Sequence, residues 1–411
     1  MWFNKKYILE YLLIIIVFGL SCINPTLLYI SLFLSLFYLF QGKIGVVKLE
    51  FLLIMRTIIS PGILFDINEV PIFQYFKWLI IFGGSIYLIV FSKRFNYNVS
   101  LLIIIYTIFI FYLIFSTIFF SSNPLLGIFK IINYALPLFS LYLNKDYLVK
   151  KNIDKWIKNI MIIFIVFSVV LIFFPLGYLR NQHGFQGITN NPNMFGIIMV
   201  LAYTFMIKSK INLFSFATIT MLFIYLIYIS ESRTSLVSIL VLIIVYSLME
   251  KRLVKVLLIL SPILVIVIIT IISNVNIIDK LLRKGGSDVD ILYSRTGQIE
   301  TTKYAFYNSP IFGNGFGVPF SPFGMSNKEQ TIVEAGNLFL AIIMYSGIIG
   351  LALFSFLLIY WSFKVKKEYL LIFLGVFLIN MGEMVLFSSN SIGLWCSLIW
   401  VISLKKFDEV L

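Results

Sequence analysis

The 411-residue chain is 60% hydrophobic and 17% aromatic but only 12% charged, with a mean hydropathy of +1.01. Soluble globular proteins carry about 25% charged residues, so this composition excludes a water-soluble enzyme, a disordered chain and a nucleic-acid-binding module, in spite of a formal net charge of +14. What remains is an all-α polytopic integral membrane protein, because β-barrel strands are ~10-residue alternating segments and the apolar runs here are unbroken over helix-spanning lengths.

At 1.5 Å per residue, about 20 residues cross a ~30 Å hydrocarbon core. Apolar segments lie near 7–23, 26–40, 44–60, 71–91, 99–120, 124–143, 156–176, 193–207, 212–229, 234–249, 254–273, 335–360, 369–387 and 391–404. That is about fourteen spans, or twelve if the third and last are discounted, in a single transmembrane domain over 1–411. The first, after Lys5 and Lys6, has no small-x-small cleavage site and reads as an uncleaved helix. Cys22 and Cys396 sit in apolar runs, without metal spacing, and read as small buried hydrophobes. With the N-terminus inside, Lys/Arg clusters at 43–48, 93–94, 145–158, 208–210, 251–255, 364–367 and 405–406 all fall on one side. The links Cys22–Thr26, Ser121–Asn123 and Ser388–Asn390 carry none. This asymmetry predicts cytoplasmic termini. No internal repeat is visible, so an inverted-repeat transporter gains no support.

Arg56, Lys77 and Lys130 lie near or within spans and are expected to snorkel to helix ends. In the outer segment Gly177–Pro192, Arg180 and the single histidine, His183, stand in an Asn/Gln-rich run suited to sugar hydroxyls. One histidine without a cysteine cluster excludes a His-based zinc site. Glu231-Ser232-Arg233 is a tight link between two apolar runs, where Arg233 either pairs with Glu231 or aims its fork at an anion such as phosphate. The outer loop over about 274–333 holds Tyr293-Ser294-Arg295, a short helix expected at Thr301–Asn308, and Gly313-Asn-Gly315-Phe-Gly317, read as a tight turn. A loop longer than about 15 residues in a compact protein is usually functional or disordered. Glu334 stands at the start of the next helix, as a macrodipole partner or a general base. Glu383, inside Met381–Phe387, must face a cavity or a partner.

In this order, Asn191-Pro-Asn193, Ser232-Arg233-Thr234, Ser294-Arg295-Thr296, Ser309-Pro310-Ile-Phe-Gly313-Asn-Gly315, Asn337-Leu-Phe-Leu and Tyr345-Ser-Gly347-Ile-Ile-Gly350 resemble the O-antigen ligase/polymerase superfamily. The resemblance covers roughly 190–360. It implies a membrane glycosyltransferase of the bacterial cytoplasmic membrane that takes glycan from undecaprenyl diphosphate on the outer face, without metal, cofactor or nucleotide sugar. It implies diphosphate binding by Arg233 and Arg295. Arg180, Asn193, Tyr293 and Asn337 are substrate-binding candidates, and the residues' own chemistry makes Glu334, Glu231 and then His183 candidate bases. Ligases of the family carry a His directly before the Asn of the post-loop motif, whereas this chain has Gly336. That departure favours a polymerase of lipid-linked repeat units over a ligase to lipid A core. A flippase of the lipid-linked unit is the reading from another class. A chain-length regulator is the partner that the resemblance suggests.

Overall fold

Helices form on the apolar runs. The computed structural model describes residues 5–62, 70–92, 100–179, 184–208, 211–251, 293–317 and 336–405, with 5–7 and 293–297 by their backbone alone. Its helices are α1 (Lys5–Leu20), α2 (Pro25–Ser35), α3 (Lys43–Ile58), α4 (Pro71–Val90), α5 (Leu101–Phe120), α6 (Pro124–Leu143), the short α7 (Lys145–Lys150) and α8 (Ile153–Val170). They continue as α9 (Pro192–Ile207), α10 (Leu213–Ile229), α11 (Arg233–Met249), α12 (Tyr293–Asn308), α13 (Leu338–Phe363), α14 (Leu370–Asn380) and α15 (Gly393–Ser403). Among the described residues there are no strands beyond two isolated bridges, Ile59 with Thr189 and Val365 with Leu404. The all-α reading therefore holds. The expected span at 254–273 lies outside the described residues. Five described helices, Pro71–Val90, Leu101–Phe120, Pro124–Leu143, Ile153–Phe173 and Leu338–Phe363, are long and apolar enough to cross a membrane by length and composition.

The starts of several helices were written in the sequence. Asn24-Pro25, Asn123-Pro124 and Asn191-Pro192 open α2, α6 and α9, and each asparagine side chain accepts an amide of the first turn. Proline at the first helical position has no N–H to leave unsatisfied, and asparagine caps one that is. The bundle then alternates between two ends. At one end, the Ser60 amide donates to Ile188 O at 2.8 Å, Asn190 to Ile58 O at 2.9 Å and Phe185 to Ile229 O at 2.8 Å. At the opposite end, Lys145 Nζ donates to Lys405 O at 2.6 Å, Asn144 Nδ2 to Leu88 O at 2.8 Å, and Lys208 pairs with Asp154 at 2.5 Å. The described lysines of the 145–158, 364–367 and 405 clusters share this second end, called the basic end below.

Three features depart from expectation. First, α3, the marginal third span, is a central helix buried along nearly its whole length. It stacks Phe51 on Trp395 of α15 at 4.2 Å. Second, Arg56 and Lys77 do not snorkel: they are 2% and 0% exposed. Arg56 donates Nε and Nη2 to Ser21 O at 3.3 and 3.2 Å, and Lys77 Nζ has no hydrogen-bond partner among the described residues. Lys130 turns to Gly317 O at 2.8 Å. Third, α14 and α15 have 11 residues each, about 16 Å of helix, too short for a ~30 Å core. The stretch 381–392 between them is irregular, and Met384, Val385, Leu386, Phe387, Ser389 and Ile392 are buried. Irregular backbone inside a membrane protein persists where protein surrounds it.

Candidate functional site

That irregular stretch is where the singled-out residues meet. Asn380 ends α14 by accepting the amides of Val385 and Leu386 on its Oδ1, at 2.9 and 2.7 Å. The carboxamide thus takes over the acceptor role that the next helical turn would have filled, and folds Met381-Gly382-Glu383 into a fixed bend. Three helix N-termini close on this bend. From α9, Asn193 Nδ2 donates to Glu383 Oε1 at 2.8 Å. From α13, Asn337 Nδ2 donates to Met381 O at 2.8 Å, while its Oδ1 caps the amides of Phe339 and Leu340 at 2.9 and 3.3 Å. From α11, Thr234 packs so tightly on Gly382 that a Cβ there would overlap its side chain. Below the bend, α9, α11 and α14 pack against one another.

Arg233 is the first residue of α11, after Ser232. It is half-buried, with Nε and Nη2 enclosed by protein. A cation at a helix N-terminus opposes the macrodipole. The orphan amides of that turn and the guanidinium therefore add to one positive field, which favours an anion. Glu231 makes the turn possible in a left-handed conformation (φ 55°) and stays half-buried. Among the described residues, no group of three or more His, Cys, Asp or Glu side chains is placed to hold a metal ion.

The Gly-rich run is a docked turn. Asn314 and Gly315 amides donate to Met344 O and Tyr345 O at 3.1 and 3.0 Å, and Ile348 N donates to Pro310 O at 2.9 Å. The run seats in a break in α13, where Gly347 takes φ 62°. Ser116 Oγ of α5 holds the run through Phe312 O (2.6 Å), and Tyr112 OH of α5 holds the break itself through Ser346 O (2.8 Å). Amides used in this way do not cradle a phosphate.

Of the candidates, the structure brings Asn193 and Asn337 onto one bend, with Arg233 and Glu231 in the turn that precedes Thr234, the α11 residue packed on Gly382. Tyr293 and Arg295 open α12, which begins at Tyr293 rather than Thr301, so they stand on a helix packed against α13 instead of an irregular loop. Arg180, His183 and Glu334 lie outside the described residues. Glu383 was noticed in the sequence but not placed in the site. The signal was its isolation in an apolar run, and its partner lies 190 residues away.

This fold is that of an all-α polytopic membrane protein, with a polar bend closed by three helix N-termini at one end of its bundle. The family model described as O-Antigen ligase matches residues 216–355, from α10 to α13. The matched segment covers under half of the chain, and over it the chain is similar to that family. No curated protein matches the chain.

Proposed function

We propose that the chain is a polysaccharide polymerase. It joins a glycan carried on undecaprenyl diphosphate to a second lipid-linked repeat unit at the outer face of the bacterial cytoplasmic membrane. The observation that carries this reading is the packing of the α11 N-terminus, which Arg233 begins, through Thr234 onto the bend that also holds the Asn193–Glu383 pair and Asn337.

An acceptor sugar hydroxyl oxygen bonds to the donor's anomeric carbon while the bond from that carbon to the diphosphate oxygen breaks. The polyprenyl diphosphate departs as an anion, and the hydroxyl proton passes to a carboxylate. Negative charge grows on the leaving group in a partly dry site. A preplaced guanidinium and helix-end amides are worth most there, about 3–4 kcal/mol for one such donor. Arg295, on the first turn of α12, is the second cation. Glu383 joins Glu334, Glu231 and His183 as a candidate proton acceptor, with its orientation set by Asn193. Asn193 and Asn337 offer donors and acceptors to sugar hydroxyls.

The alternative is a ligase that transfers finished polymer to lipid A core; the matching model is described as O-Antigen ligase. Gly336, buried beside the capping Asn337, supplies no imidazole where family ligases carry one, and so supports the polymerase. The lipid-linked glycan profile of a deletion strain separates the two. A lost polymerase leaves single repeats, whereas a lost ligase leaves long lipid-linked polymer. Complementation with Arg233→Ala or Arg295→Ala is expected to restore membrane protein but no polymer. Full-length polymer from both variants rejects the assignment.

A further inference from the structure

Away from the bend, toward the basic end, the central helix α3 carries a carboxylate, Glu50, that is 2% exposed. Its Oε1 has no hydrogen-bond partner among the described residues. The cations of α3 and α4 are directed elsewhere. Lys43 lies over the Tyr147 ring, Lys48 pairs with Glu10 at 2.6 Å, and Arg56 donates to Ser21 O. Lys77 stands two turns before Gly84 on α4, with its Nζ 5.8 and 5.9 Å from the ring centres of Phe73 and Trp78. An ionisable residue inside a membrane protein is costly, and is kept where it meets a partner.

Glu50 lies so close to α4 that a Cβ at Gly84 would stand 2.7 Å from its Oε1. The next residue, Ser85, is fully buried, and its Oγ has no hydrogen-bond partner among the described residues. The third wall is α6. Phe129 packs on Trp78 and Phe82 of α4, both at 5.9 Å, and Asn144 Nδ2 donates to Leu88 O at 2.8 Å. The two helices therefore run in one direction, and Asn133, one turn beyond Phe129, falls opposite the stretch of α4 that holds Gly84 and Ser85. Asn133 is buried, and its Oδ1 also lacks a hydrogen-bond partner among the described residues. Four residues on, Pro137 lies inside α6 and has no N–H to give the Asn133 carbonyl. Glu50 and Leu141 of α6 line one small void, which has no room for a water molecule.

We propose that the Glu50 carboxylate, the Ser85 hydroxyl and the two carbonyl oxygens of Asn133 bind a sodium ion between α3, α4 and α6. The set is rich in lone pairs and poor in protons, which suits a cation. A carbonyl released where a helix is interrupted is a ligand of the kind that membrane-embedded sodium sites use. One carboxylate balances one positive charge, whereas a calcium site gathers six to eight oxygens, with several carboxylates among them. The close approach of Glu50 to Gly84 favours a small ion. Bound there, the ion ties α3 to both neighbours beside Phe51, whose ring stacks on Trp395 of α15 at 4.2 Å. It thereby steadies the helix that follows the Met381–Glu383 bend.

The test uses the full-length protein in nanodiscs, with choline chloride holding ionic strength constant, and it does not depend on the polymerase reading. Binding of radioactive sodium is expected to saturate at one ion per chain. The melting temperature is expected to rise by several degrees as NaCl replaces choline chloride, because a ligand of the folded state stabilises it. Glu50→Gln keeps the size of the side chain and removes a buried charge, a change that folds often tolerate. It is expected to weaken sodium binding at least tenfold and to abolish the thermal response. Ser85→Ala removes one oxygen and is expected to weaken binding to a smaller extent. Absence of saturable binding, or binding unchanged in both variants, overturns the proposal. An equal response to NaCl and KCl also overturns it, marking a general salt effect. So does a melting temperature that follows pH and ignores sodium, which would make Glu50 a protonated carboxyl instead of a cation ligand.

Discussion

Arg233 bears the heaviest electrostatic duty in the proposed reaction, because its charge adds to that of the helix end it begins. Replacing it with alanine is expected to lower polymer formation by roughly 10²–10³, the usual effect of losing one preplaced transition-state donor. Lysine keeps the charge but loses the planar fork, so Arg233→Lys should fall between wild type and alanine. Initial rates in liposomes with lipid-linked repeat units check this order, and a lysine variant no better than alanine would assign the effect to geometry alone. Glu383→Gln isolates a different term. Its side-chain carbonyl still accepts from Asn193 Nδ2, while loss of the proton acceptor is expected to lower the rate by about 10²–10⁴. A full rate from Glu383→Gln would move the base to Glu334, Glu231 or His183. Lys77 poses the opposite case. Burying a charge without a hydrogen-bond partner is costly, and an apolar side chain of similar length is often neutral or stabilising. Lys77→Met is therefore expected to hold or raise the melting temperature, and a marked fall would mean that the ammonium is bound to something it needs.

At the scale of elements, the break in α13 decides how the turn 309–317 docks. A Cβ at Gly347 would overlap the Ile311 carbonyl and would have to adopt φ 62°. Gly347→Ala is expected to cost roughly 1–3 kcal/mol in backbone strain alone, read as a lowered melting temperature and faster proteolysis near Gly313–Gly317. The sequence announced most helices, because hydropathy measures the free energy that drives a segment into lipid, and the Asn-Pro pairs marked where three of them start. It did not announce this break. Gly347 sits in an apolar run that reads as continuous helix, and what interrupts it is a segment docked from more than thirty residues upstream. The same limit hid the end of α14. Met381–Phe387 is as apolar as a helix, and only the return of the Asn380 side chain onto Val385 and Leu386 shows that the chain turns there. Window averages also absorb single charges, so Glu50, buried on α3 with Oε1 lacking a hydrogen-bond partner among the described residues, passed as part of an ordinary span. The site was half legible for a related reason. Residue types named Arg233 and the asparagines, but the pairing of Asn193 with Glu383 is a product of packing between helices distant in sequence.

For the molecule as a whole, the two ends of the bundle must face opposite compartments if the chain works on an outer-face donor. Positive clusters are retained on the cytoplasmic side, and the described lysines of 145–151 and 364–367 gather at the end opposite the Met381–Glu383 bend. The site end is therefore expected outside. Cysteine labelling can test this with little background, since both native cysteines, Cys22 and Cys396, are buried and a thiolate needs solvent to react. In a Cys22→Ser background, a cysteine in place of the exposed Asn390 should react with a membrane-impermeant maleimide in intact cells. A cysteine in place of the exposed Lys151 should react only after permeabilisation. The reverse pattern would put the Arg233 site in the cytoplasm, out of reach of a translocated lipid-linked repeat. It would end the polymerase proposal however well the bend fits a diphosphate, because sidedness and not local geometry determines which substrate the site can meet.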